Sequence, residues 1–555
     1  MWYEYKEVVQ KLLPEIRDVW TVKEAVEKTA ALGDKVYLID PVKDKQYSYE
    51  ESNIESNKVA NSLISLGLKK GDKVATYMKN SPKYIFSLFA CGKAGLVEVP
   101  INAAFHEPEI THLINTAEIS TVIVDPDKSF LEELAKVSEK TPIMKNVLIF
   151  GEISDVPSMK AKTISLEEMS VKAETSNPNI EVKGSDEFCA FFTSGTTGLP
   201  KGAPITNKTF ILAAESICSV RVVPGDRNYT CLPLSHANAQ VYSMMATRLM
   251  GNSVVLSDRF SPKKFFQEIK KYGATYFNYI GGLLPMLNGA FPTAEDVPDH
   301  GASFCFGAPS AGEGFEEKFK VEAFEGYSMS EVPVLFGNFD PDRSKRKNRS
   351  FGMPLFPDLD RGIKVVDDDG KAVGPGVVGE LVQKGTDFVT VGYWGAPEAT
   401  KEAIDENGWF HTGDLVKTDE DGYFYYVDRR KFMIRKAGEN IATAEIEATA
   451  NSHPAVETSA AIPAPDPIRE EEVKILLKLK EGATIDFEDF TRHCAEKLAY
   501  FKVPRYIEIV KEFPVTATER IQKVKLKEIE KQKEDHGWDR DKEIPNWREK
   551  YYGPK

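Results

Sequence analysis

The segment FFTSGTTGLPKGAPITN, residues 191–207, is the most informative stretch of the chain. An apolar run, Phe188 to Phe192, precedes it and predicts a buried strand. The next six residues are all Gly, Thr or Ser, and a lysine follows three positions later. Small residues let several backbone N–H groups turn toward one anion, hydroxyls add donors, and the lysine supplies positive charge. The predicted phosphate-binding loop comprises Thr193, Ser194, Gly195, Thr196, Thr197, Gly198 and Lys201.

This loop differs from the P-loop of nucleoside triphosphatases. In that motif Ser or Thr directly follows Gly-Lys. Here Pro200, Lys201 and Gly202 stand at this place. A different phosphate loop is therefore implied, and the alternative is a Gly/Ser/Thr-rich surface loop without a ligand.

In its order and spacing, TSGTTGLPKG (193–202) resembles the signature of the acyl-adenylate-forming (AMP-binding) superfamily. That superfamily includes acyl-CoA synthetases, the adenylation domains of peptide synthetases and firefly luciferase. The match extends over ten positions, which disfavours the surface-loop alternative. The resemblance implies that the substrates and cofactors are ATP or AMP, Mg²⁺, coenzyme A and a small-molecule carboxylate.

The bulk composition predicts a globular protein of several domains. With 555 residues the chain is too long for one core, and about 150 residues per domain suggests three or four domains or subdomains. It has no stretch of about 18 apolar residues, so we expect no integral membrane span. The net charge of -14 disfavours nucleic acid as a partner. Six cysteines without CxxC spacing favour neither a disulfide framework nor a zinc site, and they predict a cytoplasmic location.

The pattern along the chain predicts an α/β fold. Short β-rich runs such as 74–78, 120–125 and 274–280 alternate with helical patterns at 55–67 and 262–273, which is typical of layered structure with largely parallel sheets. From about residue 428 the pattern changes to that of a small α+β lobe. We therefore predict a large N-terminal domain of layered α/β subdomains over 1–428, a hinge over 429–431 and a small mobile C-terminal α+β lid domain over 432–555. The charged residues after Leu526 predict a surface extension.

Two further motifs concern the acyl and adenine pockets. PLSHANAQ (233–240) resembles the family segment whose histidine lies where the acyl pocket meets the pantetheine tunnel, which implies this role for His236. An isolated histidine would more often be a hydrogen-bonded structural residue. GAPS (307–310) stands at the position of the loop that lines the adenine and acyl pockets, which implies roles for Ala308 and Pro309; the alternative is an ordinary turn.

GYSMSE (326–331) resembles the family's Y-G-x-T-E motif. By that resemblance Tyr327 stacks on adenine, Ser330 donates its hydroxyl to the α-phosphate, and Glu331 binds Mg²⁺, a hard cation that requires oxygen ligands. The motif departs from the family at Ser328 and Ser330. The second departure keeps the hydroxyl, so the implied roles are retained.

WFHTGD (409–414) and VDRRKFMIRKAGENIATAEIE (427–447) resemble the ribose and hinge motifs of the family. The resemblance implies that Asp414 accepts hydrogen bonds from both ribose hydroxyls, for which a carboxylate offers two acceptors and no competing donor. Arg429 would contact the ribose or phosphate, Lys431 would be the hinge residue, and Gly438 would lie in the loop beside pantetheine.

The last motif departs from the family. PVTATERIQKVK (514–525) places Glu519 and Arg520 where Gly-Lys is usual, and that lysine bridges the substrate carboxylate and the phosphate. Arginine keeps the charge but is planar and bulkier, so the exchange is not neutral. We interpret Arg520 as the working replacement. Lys523 could substitute only with a shift of register.

These motifs predict an AMP-forming carboxylate:CoA ligase. YIGGLLPMLN (279–288) resembles the carnitine-CoA ligase and fatty-acid-CoA ligase branch, and the uncharged segments around the predicted pocket favour an apolar aliphatic or alicyclic acid. A betaine bound by cation–π contact is the alternative acid. Two alternative functions are transfer of the acyl-adenylate to a carrier protein and a non-catalytic acyl or nucleotide sensor. The oligomeric state is open, and a homodimer is one expectation.

Overall fold

The structure is a computed structural model, and it describes residues 19–152, 155–193, 200–218, 222–308, 312, 314–339, 345–355, 362–385, 387–436, 439–466, 470–515 and 521–553. Contacts within the chain divide it into two compact units. The first unit comprises residues 1–362 and 383–410, and the second comprises residues 363–382 and 411–555. The predicted boundary at residue 428 lies inside the second unit. That boundary was predicted as the point about which the C-terminal domain rotates. The contacts that divide the chain into two units do not test a rotation, so the hinge at 429–431 stays a prediction.

The first unit contains the phosphate-loop segment. Its helices are α1 (Val22–Thr29), α2 (Tyr49–Ser65), α3 (Pro82–Ala94), α4 (Glu107–Ala117), α5 (Lys128–Lys140), α6 (Leu166–Lys172), α7 (Asn207–Cys218), α8 (Ala246–Leu249), α9 (Pro262–Tyr272), α10 (Leu283–Ala290), α11 (Phe315–Phe319) and α12 (Pro397–Ala403), with a 3₁₀ turn at Ala30–Leu32 and a π-helical segment at Asn238–Met245. Its strands are β1 (Val36–Asp40), β2 (Lys45–Ser48), β3 (Lys73–Tyr77), β4 (Val97–Pro100), β5 (Thr121–Val124), β6 (Asn146–Ile149), β7 (Lys162–Ser165), β8 (Glu187–Thr193), β9 (Lys201–Thr206), β10 (Arg227–Thr230), β11 (Ser253–Leu256), β12 (Tyr276–Ile280), β13 (Phe304–Ala308), β14 (Glu322–Met329), β15 (Val332–Asn338) and β16 (Met353–Pro354).

Two largely parallel sheets form the first unit. One has seven strands in the order β7-β6-β5-β3-β4-β8-β9, and the other has nine in the order β16-β15-β14-β13-β12-β10-β11-β1-β2. The seven-stranded sheet is buried on both faces, as parallel sheets usually are: in β5, Ile123 packs into one apolar core while Val122 and Val124 pack into the other. The predicted strands and the predominantly parallel pairing are confirmed.

Local sequence signals explain where the helices start and stop. α2 begins after Ser48, which forms a capping box with Glu51. α9 begins with Pro262 at its first position and ends at Gly273, whose φ of 64° is the left-handed conformation that glycine adopts without strain. Both helices were predicted from apolar spacing.

The second unit contains the ribose and hinge motifs. Its strands are β17 (Gly362–Val366), β18 (Gly379–Lys384), β19 (Phe410–Thr418), β20 (Phe424–Arg429), β21 (Ile434–Lys436), β22 (Glu439–Ile441), β23 (Val456–Asp466), β24 (Glu470–Leu479), β25 (Tyr506–Ile509) and β26 (Trp538–Asp539). Its helices are α13 (Thr443–Asn451), α14 (Phe487–Ala495), α15 (Lys523–Glu530), α16 (Arg540–Glu543) and α17 (Trp547–Tyr552), with 3₁₀ turns at Arg430–Phe432 and Tyr500–Lys502. Four strands form a sheet in the order β17-β18-β19-β20, and the remaining six form a second sheet around β24.

The chain after Leu526 is an integral part of the second unit, so its interpretation as a surface extension was wrong. β26 pairs antiparallel with β25 and adds an edge strand to the sheet. Trp547 is buried, and the guanidinium of Arg540 lies 3.6 Å from the centre of its ring. A few buried aromatic and basic side chains anchor this segment, although its average composition is highly charged. Among the described residues of the whole chain, no helix is both long and apolar enough to cross a membrane.

Candidate active site

The phosphate-loop segment connects two antiparallel strands. β8 and β9 pair from Glu187 opposite Thr206 to Thr193 opposite Lys201, so residues 194–199 join strand to strand. The glycine loop of a P-loop enzyme leads instead from a strand into a helix, which supports the exclusion of that motif. Eight predicted site residues and the side chain of Thr193 lie outside the described part of the chain. The eight are Ser194, Gly195, Thr196, Thr197, Gly198, Pro309, Gly438 and Arg520.

Lys201 begins the strand that leaves this loop. Its side chain is half-buried, and its Nζ atom lies 5.6 Å from the centre of the Tyr393 ring, within the range of a cation–π contact. The segment after Tyr393 is held to the same strand, because the Trp394 amide donates to the Gly202 carbonyl at 3.0 Å. The Lys201 ammonium thus lies over the Tyr393 ring, on a strand that is hydrogen-bonded to the segment carrying Tyr393.

Glu331 lies at the turn between β14 and β15, directly after Ser330, and it is 5% exposed. The Tyr393 hydroxyl donates to Glu331 Oε1 at 2.9 Å. The Glu331 carbonyl accepts from the Thr390 amide at 2.7 Å. The fold therefore brings the predicted phosphate lysine to the ring of Tyr393 and the predicted Mg²⁺ ligand, Glu331, to the hydroxyl of the same tyrosine.

The donor set of this site fits Mg²⁺. Among the described residues there is no group of three or more His, Cys, Asp or Glu side chains that could hold a metal ion alone. Mg²⁺ is commonly bound by one or two carboxylates, with substrate phosphates and water completing an octahedron of oxygens. A single oriented carboxylate at Glu331, which shares Tyr393 with Lys201, meets that requirement.

The predicted adenine-site residues lie on neighbouring strands of the nine-stranded sheet. Tyr327 is half-buried on β14, and its ring packs 4.8 Å from Phe351. Ala308 is exposed at the end of β13 and accepts a hydrogen bond from the Gly281 amide at 3.2 Å. The preceding Gly307 needs to be glycine, because a Cβ atom there would lie 2.1 Å from the Tyr279 carbonyl oxygen. Whether Tyr327 stacks on adenine stays a prediction.

His236 lies just before the helix that contains the π-helical segment. Its Nδ1 accepts the Asn238 amide at 3.1 Å, so a neutral His236 carries its proton on Nε2. Asn278 on β12 donates to Asn238 Oδ1 at 3.2 Å and to Ser243 at 3.1 Å, which fixes this helix to the sheet. The Tyr242 hydroxyl donates to the Pro333 carbonyl on β15. These contacts place the histidine segment beside β12 and β15.

A buried carboxyl also supports the His236 segment. Gln240 donates to the Leu234 carbonyl at 2.8 Å and to Glu98 Oε2 at 3.4 Å. Glu98 additionally accepts from Thr76 and from Tyr84. Burial raises the pKa of Glu98 to about 7, although the three donors oppose the shift.

In the second unit, the predicted ribose residues form one ion pair. Asp414 on β19 lies opposite Arg429 on β20, and Arg429 Nε is 2.8 Å from Asp414 Oδ1. Asp414 is 2% exposed. Glu380 Oε1 accepts the Gly413 amide at 2.9 Å, which fixes the backbone beside Asp414. The position of the Asp414 carboxylate is therefore fixed by β19, by the hydrogen-bonded backbone of Gly413 and by the ion pair with Arg429.

Lys523 is engaged within the second unit. Its Nζ lies 2.6 Å from Glu447 Oε1 and donates to Thr443 Oγ1 at 2.9 Å, both on α13. Burial raises the pKa of Glu447, and the charge of Lys523 opposes this rise. Asp428 Oδ2 accepts from the Thr443 hydroxyl at 2.8 Å. These contacts engage Lys523 with α13, beside the predicted hinge. The assignment of Arg520 as the catalytic cation stays a prediction.

Sequence reasoning missed two residues of the site. Tyr393 contacts both Lys201 and Glu331, as described above. His112 on α4 contacts the Pro200 carbonyl through Nε2 at 2.8 Å, at the end of the phosphate loop. The sequence signal near Tyr393 is the pair of glycines, Gly392 and Gly395, that flank Tyr-Trp and mark a turn; in the structure they have φ values of 132° and 63°.

The chain belongs to the AMP-binding enzyme family. The family model for the AMP-binding enzyme matches residues 25–394, and the model for the AMP-binding enzyme C-terminal domain matches residues 445–520. The predicted family, fold class and enzyme class are confirmed by these matches and by the relatives described next.

Three relatives illustrate the likeness. The crotonobetaine/carnitine–CoA ligase of Salmonella arizonae is 32% identical over 497 residues, which are 87% of this chain and 93% of that protein. ATP-bound MatB from Rhodopseudomonas palustris superposes with a TM-score of 0.80 at 27% identity, covering 91% of this chain and 98% of that one. The o-succinylbenzoate CoA synthetase MenE of Bacillus subtilis, in complex with the acyl-adenylate OSB-AMP, gives a TM-score of 0.77 at 25% identity, covering 92% and 98%.

Proposed function

We propose that this chain is an ATP-dependent, AMP-forming carboxylate–CoA ligase that acts on an apolar aliphatic or alicyclic acid. The observation that carries the proposal is the cluster of Lys201, Tyr393 and Glu331. It brings one positive charge and one oriented carboxylate to the same tyrosine, and Lys201 begins the strand that follows a segment whose composition suits phosphate. The sequence similarity to CoA ligases supports the same activity.

In the first half-reaction a carboxylate oxygen of the substrate forms a bond to the α-phosphorus of ATP, and the bond from that phosphorus to pyrophosphate breaks. The protein mainly positions groups and neutralises charge in such a step. Lys201 and Arg520 supply positive charge, Ser330 donates to the α-phosphate, and Asp414 holds the ribose. Glu331 would hold Mg²⁺, which would supply further charge neutralisation.

In the second half-reaction the CoA thiolate attacks the acyl carbon, the bond to the AMP oxygen breaks, and AMP leaves. By the resemblance to the family, His236 would lie at the entrance to the acyl pocket and the loop that contains Gly438 would pass beside pantetheine. We propose that the chain from residue 432 rotates about Lys431 between the two steps. The rotation exchanges Arg520 for the Gly438 loop, and such a motion is a gating step.

The segments proposed to line the acyl pocket are apolar and aromatic. Tyr242 contacts Phe306 edge-on at 5.9 Å between ring centres, and Tyr279 packs against Gly307. The segments 237–245, 279–288 and 304–308 contain no charged residue. A charged acyl tail would lose several kcal/mol if left unpaired there, on the order of the cost of burying a polar group without a partner. These residues favour an apolar acid.

A quaternary-ammonium acid is the second candidate substrate. The relatives named as crotonobetaine/carnitine–CoA ligases favour it. Because the segments above offer no carboxylate, the cation would be held by aromatic faces such as that of Tyr242. A panel containing octanoate, cyclohexanecarboxylate, carnitine and crotonobetaine, assayed for CoA-dependent AMP formation, separates the two classes of acid.

The same assay tests the two alternative functions. A carrier-dependent enzyme would release pyrophosphate from ATP and acid but form no thioester with free CoA. A binding protein would release no pyrophosphate with any acid of the panel. Either result would contradict the proposed ligase activity.

We propose a cytoplasmic location for this enzyme. All six cysteines are buried and free, as thiols are in a reducing compartment. The homodimer stays a prediction, which size-exclusion chromatography with light scattering tests directly.

A further inference from the structure

Tyr393 makes contacts to both charged groups of the proposed phosphate site. Its hydroxyl donates to Glu331 Oε1 at 2.9 Å, and the Lys201 ammonium lies 5.6 Å from the centre of its ring. One side chain thus contacts, through its two chemically different parts, a carboxylate and a cation. Neither contact was indicated by spacing in the sequence, since Tyr393 is 62 residues from Glu331.

The backbone around Tyr393 is fixed on both sides. The Tyr393 amide donates to the Thr400 hydroxyl at 2.9 Å. Thr390 donates from its hydroxyl to the Pro204 carbonyl at 2.7 Å, and from its amide to the carbonyl of Glu331 at 2.7 Å. This segment, residues 390–394, therefore ties the strand that follows the phosphate loop to the turn that carries Glu331.

We infer that Tyr393 is a positioning residue that orients the Glu331 carboxylate for a divalent cation and directs the Lys201 ammonium toward nucleotide phosphate. The inference rests on the proposed function. A carboxylate that is 5% exposed has few water molecules to orient it, so a protein donor determines where its oxygens point. The ring supplies a negative face that favours one position of the ammonium.

Two substitutions separate the two parts of Tyr393. Tyr393→Phe removes the hydroxyl and keeps the ring, so the orientation of Glu331 is disturbed while Lys201 keeps its aromatic contact. Tyr393→Leu removes both. Tyr272→Phe is the matched control, because it removes a surface hydroxyl that contacts Asp44 at 2.7 Å, in the same unit but outside the site.

The first measurement is metal binding. Mn²⁺ is titrated into the full-length protein with a non-hydrolysable ATP analogue, and the free ion is followed by electron paramagnetic resonance. Tyr393→Phe should raise the Mn²⁺ dissociation constant by about tenfold or more, the scale for removing a hydrogen bond that orients a metal ligand. The pyrophosphate-release rate of this variant should recover at high Mg²⁺ concentration. The Tyr272→Phe control should match the wild type in both measurements.

The second measurement is nucleotide binding without metal. In the presence of EDTA, Tyr393→Leu should weaken binding of the analogue roughly two- to fivefold, the equivalent of one exposed cation–π contact. Tyr393→Phe should leave this affinity unchanged. Thermal unfolding of all variants checks that each is folded under the assay conditions.

A folded Tyr393→Phe protein with the wild-type Mn²⁺ dissociation constant and the wild-type Mg²⁺ dependence would overturn the inference. Failure of the proposed function gives a different result, namely a wild-type protein that releases no pyrophosphate with any acid. Because the Mn²⁺ titration does not require turnover, it decides the role of Tyr393 in either case.

Discussion

Replacing Asp414 by alanine tests the proposed ribose site most directly. The carboxylate is 2% exposed and is held by its strand and by Arg429 at 2.8 Å, so it is already oriented before nucleotide binds. Loss of its charge-assisted hydrogen bonds to the two ribose hydroxyls should weaken ATP and AMP binding by about 2 to 4 kcal/mol. That corresponds to roughly a 30- to 900-fold rise in the dissociation constant.

The ion pair shows why this loss should be one of binding and not of folding. The side chain of Arg429 is 35% exposed, so water can solvate its guanidinium after Asp414 is removed. Asp414→Ala should therefore change the free energy of unfolding by less than about 1 kcal/mol. The reverse change, Arg429→Ala, leaves the buried Asp414 carboxylate without that ion pair and should cost about 1 to 3 kcal/mol of stability.

Isothermal titration with AMP measures the affinity, and thermal unfolding measures the stability. Asp421→Ala is the matched control, because Asp421 lies in the exposed turn between the same two strands. The control should bind AMP as the wild type does. A folded Asp414→Ala protein with unchanged affinity for AMP would refute the ribose assignment.

Three further predictions concern the acyl pocket, the catalytic cation and the pH dependence of stability. Gly282→Leu should shift the substrate preference toward shorter acids, by roughly 1 to 3 kcal/mol for each methylene-sized contact that the leucine displaces. The backbone can accept this side chain, because the φ of Gly282 is −77°, a value that other residues also adopt. Arg520→Ala should slow pyrophosphate release by on the order of 10² or more and leave thioester formation from a supplied acyl-adenylate near wild type. Lys523→Ala should lower stability and spare the first half-reaction. Glu98→Gln should flatten the dependence of unfolding free energy on pH between about 4.5 and 7, because burial raises the pKa of Glu98 to about 7 from 4.5.

The direction of the pH effect follows from proton binding. Between pH 4.5 and 7 the native protein keeps a proton on Glu98 that the unfolded chain has released, so stability falls as pH rises through this window. The fall attributable to Glu98 should amount to about 3 kcal/mol, at 1.36 kcal/mol per pKa unit. Urea unfolding of wild type and Glu98→Gln at pH 5 and pH 7.5 measures it, and equal changes in the two proteins would contradict the prediction.

The other two predictions also have decisive outcomes. Equal loss of activity with all acids in Gly282→Leu would show that the glycine serves the backbone and does not shape the pocket. A Lys523→Ala protein that is folded but unable to form the adenylate, together with an active Arg520→Ala protein, would transfer the catalytic role to Lys523.

Much of the fold could be predicted from the sequence because its signals are local. Short β-rich runs predicted strands such as β3 and β5, and apolar residues at three- and four-residue spacing predicted helices such as α2 and α9, since both signals lie within a few neighbouring residues. The motifs that indicate the family are local as well. The composition of residues 193–198 suits phosphate whatever the rest of the chain does, and TGD at 412–414 places a carboxylate acceptor directly after two small residues.

Predictions from the average composition of a segment fail where a few residues determine how that segment packs. The charged segment after Leu526 predicted a surface extension, yet Trp547 and Arg540 pack into the second unit. The sequence compares Lys523 with Arg520 by register alone and gives no sign that α13 holds the Lys523 ammonium between Glu447 and Thr443. In both cases the partner lies on another element, and composition gives no information about which elements meet.

The sequence by itself therefore determined the fold class, the family and the kinds of group available for phosphate, ribose and metal. Only the tertiary structure decided which of those groups lie together within each unit and which contacts hold them. Tyr393 reaches Glu331 across 62 residues, and His112 reaches Pro200 across 88, because the order of strands and helices brings distant segments together. The orientation of a buried carboxylate depends on the donor that faces it, and that donor is chosen by packing and not by spacing along the chain.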